Sequence, residues 1–394
     1  MWIEKSLDEL GFVGRGKSKH RPRNAQFLYD GPYPFIQTGD IKHSELYVTS
    51  FSQTYSQAGL EQSKLWPAGT LCITIAANIA DTAILGLDAC FPDSVIGFIA
   101  DESKCDTRFI KYKLDTIKSQ YQQVSQGAAQ DNLSKEKFLS FKLRVPNPKV
   151  QREIADILSA YDDLIENNRR RMALLEEAAR LLYQEWFVHL RFPGQEHTRI
   201  TEGVPEGWER KTLADLCMEI RENVFPEELE PDTPYIGLEH MPRRSIALTD
   251  WGYADTVTSM KHRYKTGDIL FGKIRPYFHK VGRAFVDGVA SSDAIVIRPN
   301  VGSLSGFVLM TVSSDHFVSV ASKTAREGSK MPRADWKLMT KYEFVLPTGS
   351  IFETFSGSVQ SITDQLRTLC FQNQKLRAAR DLLLPRLMSG EIVV

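Results

Sequence analysis

The sequence predicts an α+β protein in which two pseudo-repeated mixed α/β domains are separated by two long antiparallel coiled-coil helices. Three observations carry that prediction. The chain is written twice, each copy ends in a long heptad-patterned helix, and the two helical seams complement each other only when they run in opposite directions.

The repeat has a period near 200 residues. Trp2 to Leu10 parallels Trp208 to Leu216, and Pro34-Phe-Ile36 parallels Pro234-Tyr-Ile236. Gly69-Thr-Leu-Cys-Ile73 parallels Gly267-Asp-Ile-Leu-Phe271, in each case an aliphatic strand pattern after a turn glycine. Gly127 to Pro146 parallels Gly328 to Pro347. The four offsets are 206, 200, 198 and 201 residues, a drift that loop insertions produce, and the matches keep their order. Residues 1–146 and 191–347 mix short strand patterns with Gly/Pro turns and read as globular domains. Residues 147–190 and 348–394 read as the helices. Asn147-Pro148 supplies a cap and a first-turn proline for one, and Ser350-Ile-Phe-Glu353 a capping box for the other. Residues 191–207, polar and Gly/Pro-bearing, read as a linker.

Along the first helix Ile154, Leu158, Tyr161, Ile165, Asn168, Met172, Leu175, Ala179, Leu182 and Trp186 step by four and three. The second seam runs Phe355, Val359, Ile362, Leu366, Leu369, Asn373, Leu376, Arg380, Leu383, Leu387. In antiparallel register Ile154 meets Leu387, Leu158 meets Leu383, Ile165 meets Leu376 and Trp186 meets Phe355. Tyr161 meets Arg380 as a cation–π pair, and Asn168 faces Asn373. A buried amide layer fixes register, whereas parallel pairing would set each Asn against an apolar side chain. At 1.5 Å per residue the first seam is roughly 48 Å long. Its polar outer positions, Arg169 to Arg171 with Glu176 and Glu177, suggest a projecting rod.

The 394 residues are 42% hydrophobic and 25% charged, an ordinary globular composition, with no apolar run of membrane-spanning length. Cys72, Cys90, Cys105, Cys217 and Cys370 form no CxxC pair, which favours reduced thiols and a cytoplasmic setting. Lys+Arg and Asp+Glu number 49 each. A DNA binder with zero net charge must cluster its cations locally or share the phosphate grip with a partner.

Two motifs imitate catalytic centres. Gly11 to Ser18 spells a P-loop, but a charged segment precedes it and Pro22 stands where the following helix should run. Pro92-Asp93 with Glu102-Ser103-Lys104 imitates a nuclease core in a segment that reads as exposed. The eight histidines lack metal-ligand spacing, and there is no methyltransferase motif or glycine-rich cofactor fingerprint. No catalytic residues and no metal ligands are expected.

Polar recognition material remains. In the first domain it is the basic loop with Lys17, Lys19, Arg21 and Arg23, and the amide-rich loop with Gln122, Gln123, Gln126, Gln130 and Asn132 around Gly127. Gln and Asn can read adenine bidentately. In the second domain it is Lys273, Arg275, Tyr277, His279 and Lys280, with Arg326, Lys330 and Arg333 at the repeat position of the amide-rich loop. These residues point to double-stranded DNA. The rival reading is a duplicated scaffold on a coiled-coil rod that binds no DNA.

The chain resembles the specificity subunits of type I restriction-modification systems. The carrying residues are Val145 to Leu158 and Asp162-Asp-Leu-Ile-Glu166 at the head of the first helix, and Pro205-Glu-Gly-Trp208. Gly267-Asp-Ile-Leu270, Ile274-Arg-Pro-Tyr277 and the tail Leu384-Pro-Arg-Leu-Met-Ser-Gly390 complete the set. The resemblance implies two target recognition domains, 1–146 and 191–347, each reading half of a bipartite site across a spacer set by the helices. It also implies assembly with two modification subunits that methylate adenine using S-adenosylmethionine, and with restriction subunits that use ATP and Mg2+. No cofactor is expected on this chain.

Overall fold

Gly69 and Gly267 take the same place in two copies of one sheet. Both have left-handed backbones, φ +83° and +94°, a conformation that glycine adopts without a Cβ penalty. Both donate N–H across the sheet, Gly69 to Leu85 O and Gly267 to Ala284 O. The computed structural model describes residues 2–76, 78–126, 135–325, 330–347 and 349–394, with 124–126 by backbone alone. The chain divides into two compact units, Met1–Glu166 with Asn373–Val394, and Asn167–Gln372.

In the first unit a five-stranded sheet has the order Gly11–Arg15, Val95–Ala100, Leu71–Thr74, Thr82–Leu85, Tyr47–Val48. All its neighbours are antiparallel except the last, parallel pair. The second unit repeats this with Cys217–Ile220, Ala294–Pro299, Ile269–Gly272, Val281–Ala284 and Ala247–Leu248, again with one parallel pair at the far edge. A short strand near each domain's start pairs with one near its end, Ile3–Lys5 with Leu143–Val145 and Glu209–Thr212 with Glu343–Leu346. The order of matches along the sequence is therefore an order of equivalent strands.

The first long helix runs Pro148–Tyr183 and widens into a π-turn over Gln184–Val188. Asn147 caps it, its Oδ1 accepting from Val150 N at 3.0 Å, with Pro148 in the first turn. The second long helix is Ser350–Ser389. It starts at Ser350 itself after Gly349 in a left-handed conformation, so Ser350 lies inside the helix rather than at its cap. Within each unit the neighbouring helix segments come from opposite ends of the two helices, as antiparallel pairing requires. Ile154, Ala155 and Leu158 share one buried cluster with Leu387 and Met388, with Leu383 packed against it. In the second unit Trp186 lies 6.0 Å from Phe355 between ring centroids, and Phe187 lies 4.6 Å from Phe355.

Three expectations need correcting. First, the helix ends do not project: Ile154 and Leu158 share their cluster with Leu7, Leu10, Phe98 and Phe109 of the first domain. Ala179, Tyr183, Phe355 and Val359 likewise share one with Leu213, Phe271 and Phe307 of the second. Full burial of such side chains stabilises by about 1.5–3 kcal/mol each, so apolar faces wider than a two-helix seam recruit the sheets. Second, Arg380 takes carboxylates rather than the Tyr161 ring: it donates to Asp162 and, at 3.2 Å, to Glu45. Third, residues 191–207 are ordered, with Ile200–Thr201 paired to Val204–Pro205 and the buried Phe192 ring 4.7 Å from Trp208. Asn168 and Asn373, expected to face one another, are each buried and belong to different units; Ile165 is fully buried and Leu376 half-buried.

All five cysteines are buried as thiols, with no disulfide among the described residues, and burial pushes the Cys105 and Cys217 thiols up to about 12. Among the described residues no single helix is long and apolar enough to cross a membrane. One bent pair, Gly302–Val312 with Asp315–Lys323, has the composition, but Ser305–Val312 is buried throughout in the second unit's core.

Candidate nucleic-acid interface

In each unit the cationic side chains gather at the same end of the main sheet, around the turn that leads into its second strand. In the first unit this turn is residues 91–94. Lys17 N donates to Phe91 O at 3.1 Å and Gly16 N to Val95 O at 2.9 Å, so residues 16 and 17 run extended along the turn. Arg15 Nε donates to Asp93 O, and Arg23 Nη2 stands 3.0 Å from both carboxylate oxygens of Asp93. Lys19 is exposed, and its N–H donates to Gln62 Oε1 at 2.6 Å. Arg21 Nη1 donates to the carbonyls of Ser18 and His20. Lys64 Nζ lies 3.7 Å from the Trp66 ring centroid and 4.8 Å from that of the exposed Phe12. Burial, then the nearby Lys17 charge, lowers the Lys64 ammonium below its usual range. This is basic surface interleaved with aromatic rings, suited to a phosphate backbone.

The described part of the amide-rich segment is helix rather than the expected loop. Gln122, Gln123 and the backbone of Gln126 belong to helix Lys118–Gln126. Lys and Gln are good helix formers, and the buried Tyr121, stacked 4.7 Å from Phe138, pins that helix to the domain. Gln122 Nε2 donates to Ile79 O at 3.2 Å, and Gln123 is exposed. Ile75 N of the adjoining turn donates to Ser94 O, which places Gln122 at the same sheet end as Arg15 and Lys17. Gln130 and Asn132, with the Gln126 side chain, lie outside the described residues, as does Arg326.

In the second unit the equivalent turn is residues 291–293. Lys273 N donates to Asp293 O at 2.9 Å, and its Nζ to Ser292 O at 2.5 Å. Arg275 N donates to Pro332 O at 2.8 Å, and Ile274 bridges Arg333. That brings residues 330–333 against 273–275. Arg333 Nη2 is 3.4 Å from Asp293 Oδ1. Tyr277 and Lys330 are exposed. Arg221, Lys273, Met331, Arg333, Trp336 and Lys337 line a groove of about 560 Å³.

Two predicted contacts are structural. Lys280 donates its Nζ to Leu238 O, and burial pulls its ammonium below the usual range. His279 is buried, 7% exposed, with Nε2 2.7 Å from Ser313 O and Nδ1 3.4 Å from Asp315. Its left-handed φ of 54° matches the 64° of Ala80 in the first unit's equivalent turn. His279 therefore helps to hold the turn's shape. Burial keeps its imidazole pKa below the ordinary 6.5, so the unfolded chain takes up the proton first as the pH falls. His279 contributes stability that is present above pH 6.5 and lost as the pH falls through the folded-state pKa. Thermal unfolding of the second unit, followed from pH 7.5 to about 5, is expected to show a falling midpoint whose slope is smaller in His279→Gln. An equal slope in both proteins would assign the effect elsewhere.

Sequence reasoning missed Lys64, Arg221, Trp336 and Lys337. Arg221 was within reach, because the 206-residue offset that aligns Trp2 with Trp208 also aligns Arg15 with Arg221. The catalytic imitations dissolve in three dimensions. Gly11–Arg15 is a paired strand and not a phosphate-cradling loop. Asp93 is held by Arg23, and Asp101 by Lys104 at 2.8 Å. Among the described residues no group of three His, Cys, Asp or Glu side chains could hold a metal.

Comparison with known proteins agrees with this architecture. The family model described as "Type I restriction modification DNA specificity domain" matches residues 1–177. The MjaIX type I specificity subunit of Methanocaldococcus jannaschii is 21% identical, over 100% of this chain and 94% of that one. The HindI specificity subunit of Haemophilus influenzae is 21% identical over 64% of this chain and 69% of its own length. A crystal structure of a type I restriction-modification S subunit from M. genitalium superposes with a TM-score of 0.62 at 14% identity, covering 98% of this chain and 96% of that one. With its duplicated domains and its paired long helices, the chain carries a match to the type I DNA specificity domain over residues 1–177 and is similar along its whole length to the specificity subunits of type I restriction-modification systems.

Proposed function

We propose that this chain reads a bipartite DNA target, one half-site per domain, and recruits modification and restriction subunits that bring S-adenosylmethionine, ATP and Mg2+. The observation that supports this most is the recurrence of a cationic cluster at the same end of the same sheet in both units. In the first it comprises Arg15, Lys17 and Arg23; in the second, Arg221, Lys273 and Arg333. Local clustering reconciles a DNA surface with the even balance of 49 cationic and 49 acidic residues. Modification subunits would add to the phosphate grip.

The full chain, titrated with a mixed-sequence duplex at increasing salt, is expected to lose affinity linearly on logarithmic axes, with a slope near −0.9 per phosphate neutralised. A flat response would favour the rival scaffold reading, because protein or peptide binding releases no condensed counterions from a duplex.

A further inference from the structure

In each unit an interface arginine stands on the aspartate of the turn, Arg23 on Asp93 and Arg333 on Asp293, while in the second unit Arg221 is also held by Glu219 at 2.7 Å. Asp93 and Asp293 stand in equivalent turns before the second strand of the main sheet. Their arginines do not correspond: Arg23 comes from the loop after the first strand, Arg333 from the segment that bridges Ile274. Duplication alone would have copied both partners.

The pairs are exposed, with side chains 50% and 36% accessible in one and 56% and 32% in the other. Ion pairs this open add little to stability, so holding the fold together does not explain them. Nor is phosphate the ligand that needs the pairing: a carboxylate 3.0 Å away in one pair and 3.4 Å in the other offsets part of the guanidinium charge within each cationic cluster. What the pairing does supply is direction. An arginine has five N–H donors in a planar fork. Asp93 engages only Nη2 of Arg23, and Asp293 only Nη2 of Arg333. The pairing leaves the other donors of each fork available to a second acceptor, and pre-orienting the side chain would reduce the rotamer entropy lost on binding. The acceptor that suits such a fork in a major groove is the O6/N7 edge of guanine.

We propose that Asp93 and Asp293 are positioning residues that aim Arg23 and Arg333 at one guanine in each half-site. This rests on the DNA-reading function proposed above. The test is selection of bound sequences from a randomised duplex pool by the full chain and its variants. Asp93→Asn is expected to lower the preference for guanine at one position of one half-site about tenfold, within the discrimination that a bidentate arginine contact provides. Asp293→Asn should do the same in the other half-site. Both should leave affinity for unselected duplex unchanged or slightly raised. Arg23→Lys, which keeps the charge but not the fork, should lose the same preference with an unaltered salt slope. If wild type enriches a motif and the Asn variants enrich the same one, the proposal is overturned. Uniform weakening across all sequences would overturn it too, since that marks a phosphate contact. If wild type enriches no motif, the DNA-reading function itself fails, and this proposal with it.

Discussion

Asp162→Ala is expected to lower the stability of the first unit by about 3–5 kcal/mol, the cost of breaking a buried ion pair from one side. Asp162 is 2% exposed. Its Oδ1 accepts from Arg380 and its Oδ2 from the Tyr112 hydroxyl. Glu45 receives Arg380 at 3.2 Å and Arg377 at 3.4 Å. Burial and the Asp162 charge push the Tyr112 phenol far above its usual range, which keeps it a donor. Burial opposes the Arg380 charge, but Asp162 outweighs it and holds the guanidinium more firmly protonated than usual. Removing Asp162 takes away the most buried of Arg380's carboxylate partners, leaving Glu45 and Asp381, and deprives the Tyr112 hydroxyl of its acceptor. The paired replacement Asp162→Leu with Arg380→Met should recover much of the loss, since apolar substitutes for a whole buried pair are often tolerated. Urea unfolding checks both variants; a loss below about 1 kcal/mol for the single variant would mean that solvent screens the network. The network joins the first helix, the second helix and the domain helix Thr107–Thr116, which gives Asp162, the first residue of the 162–166 motif, its structural role. The second unit attaches its helices by other groups. Buried Glu176 accepts from Ser245 Oγ at 2.6 Å, and Arg283 donates to Thr363 and Gln360.

If the proposed function holds, exchanging residues 1–146 for the first domain of a type I specificity subunit is expected to replace one half-site of the methylated target and leave the other intact. Methylome sequencing of cells carrying the exchanged chain with its modification subunits reads the outcome. Change in both half-sites, or in neither, would rule out one half-site per domain. The unit boundary adds a condition, because the first unit includes the helix segments up to Glu166 and from Asn373. Glu45 and Tyr112 would be exchanged while Asp162 and Arg380 would stay. A donor domain without their equivalents leaves a buried carboxylate and a guanidinium with fewer partners. Such an exchange should give less stable protein, and moving residues 1–166 and 373–394 together should restore it.

The sequence by itself determined the duplication, the strand equivalence and the opposed running of the two helices. Those features depend on local signals: a turn that demands a left-handed residue at 69 and 267, alternation within strands, and a heptad that dictates which side chains form a seam. Trp186 meets Phe355 because period and register leave no alternative. Only the tertiary structure decided which polar groups meet. Arg380 passes Tyr161 for Asp162 and Glu45, because a desolvated guanidinium is better matched by carboxylates than by a ring and the first domain brings Glu45 within reach. His279 and Lys280 look like surface readers in sequence, yet they turn inward to carbonyls supplied by residues 313 and 238. Asp93 resembled part of a nuclease core until Arg23, 70 residues away in the chain, was found on it. Apolar periodicity is written along one segment and can be read there. The partner of a charge is set by side chains that folding brings from elsewhere in the chain.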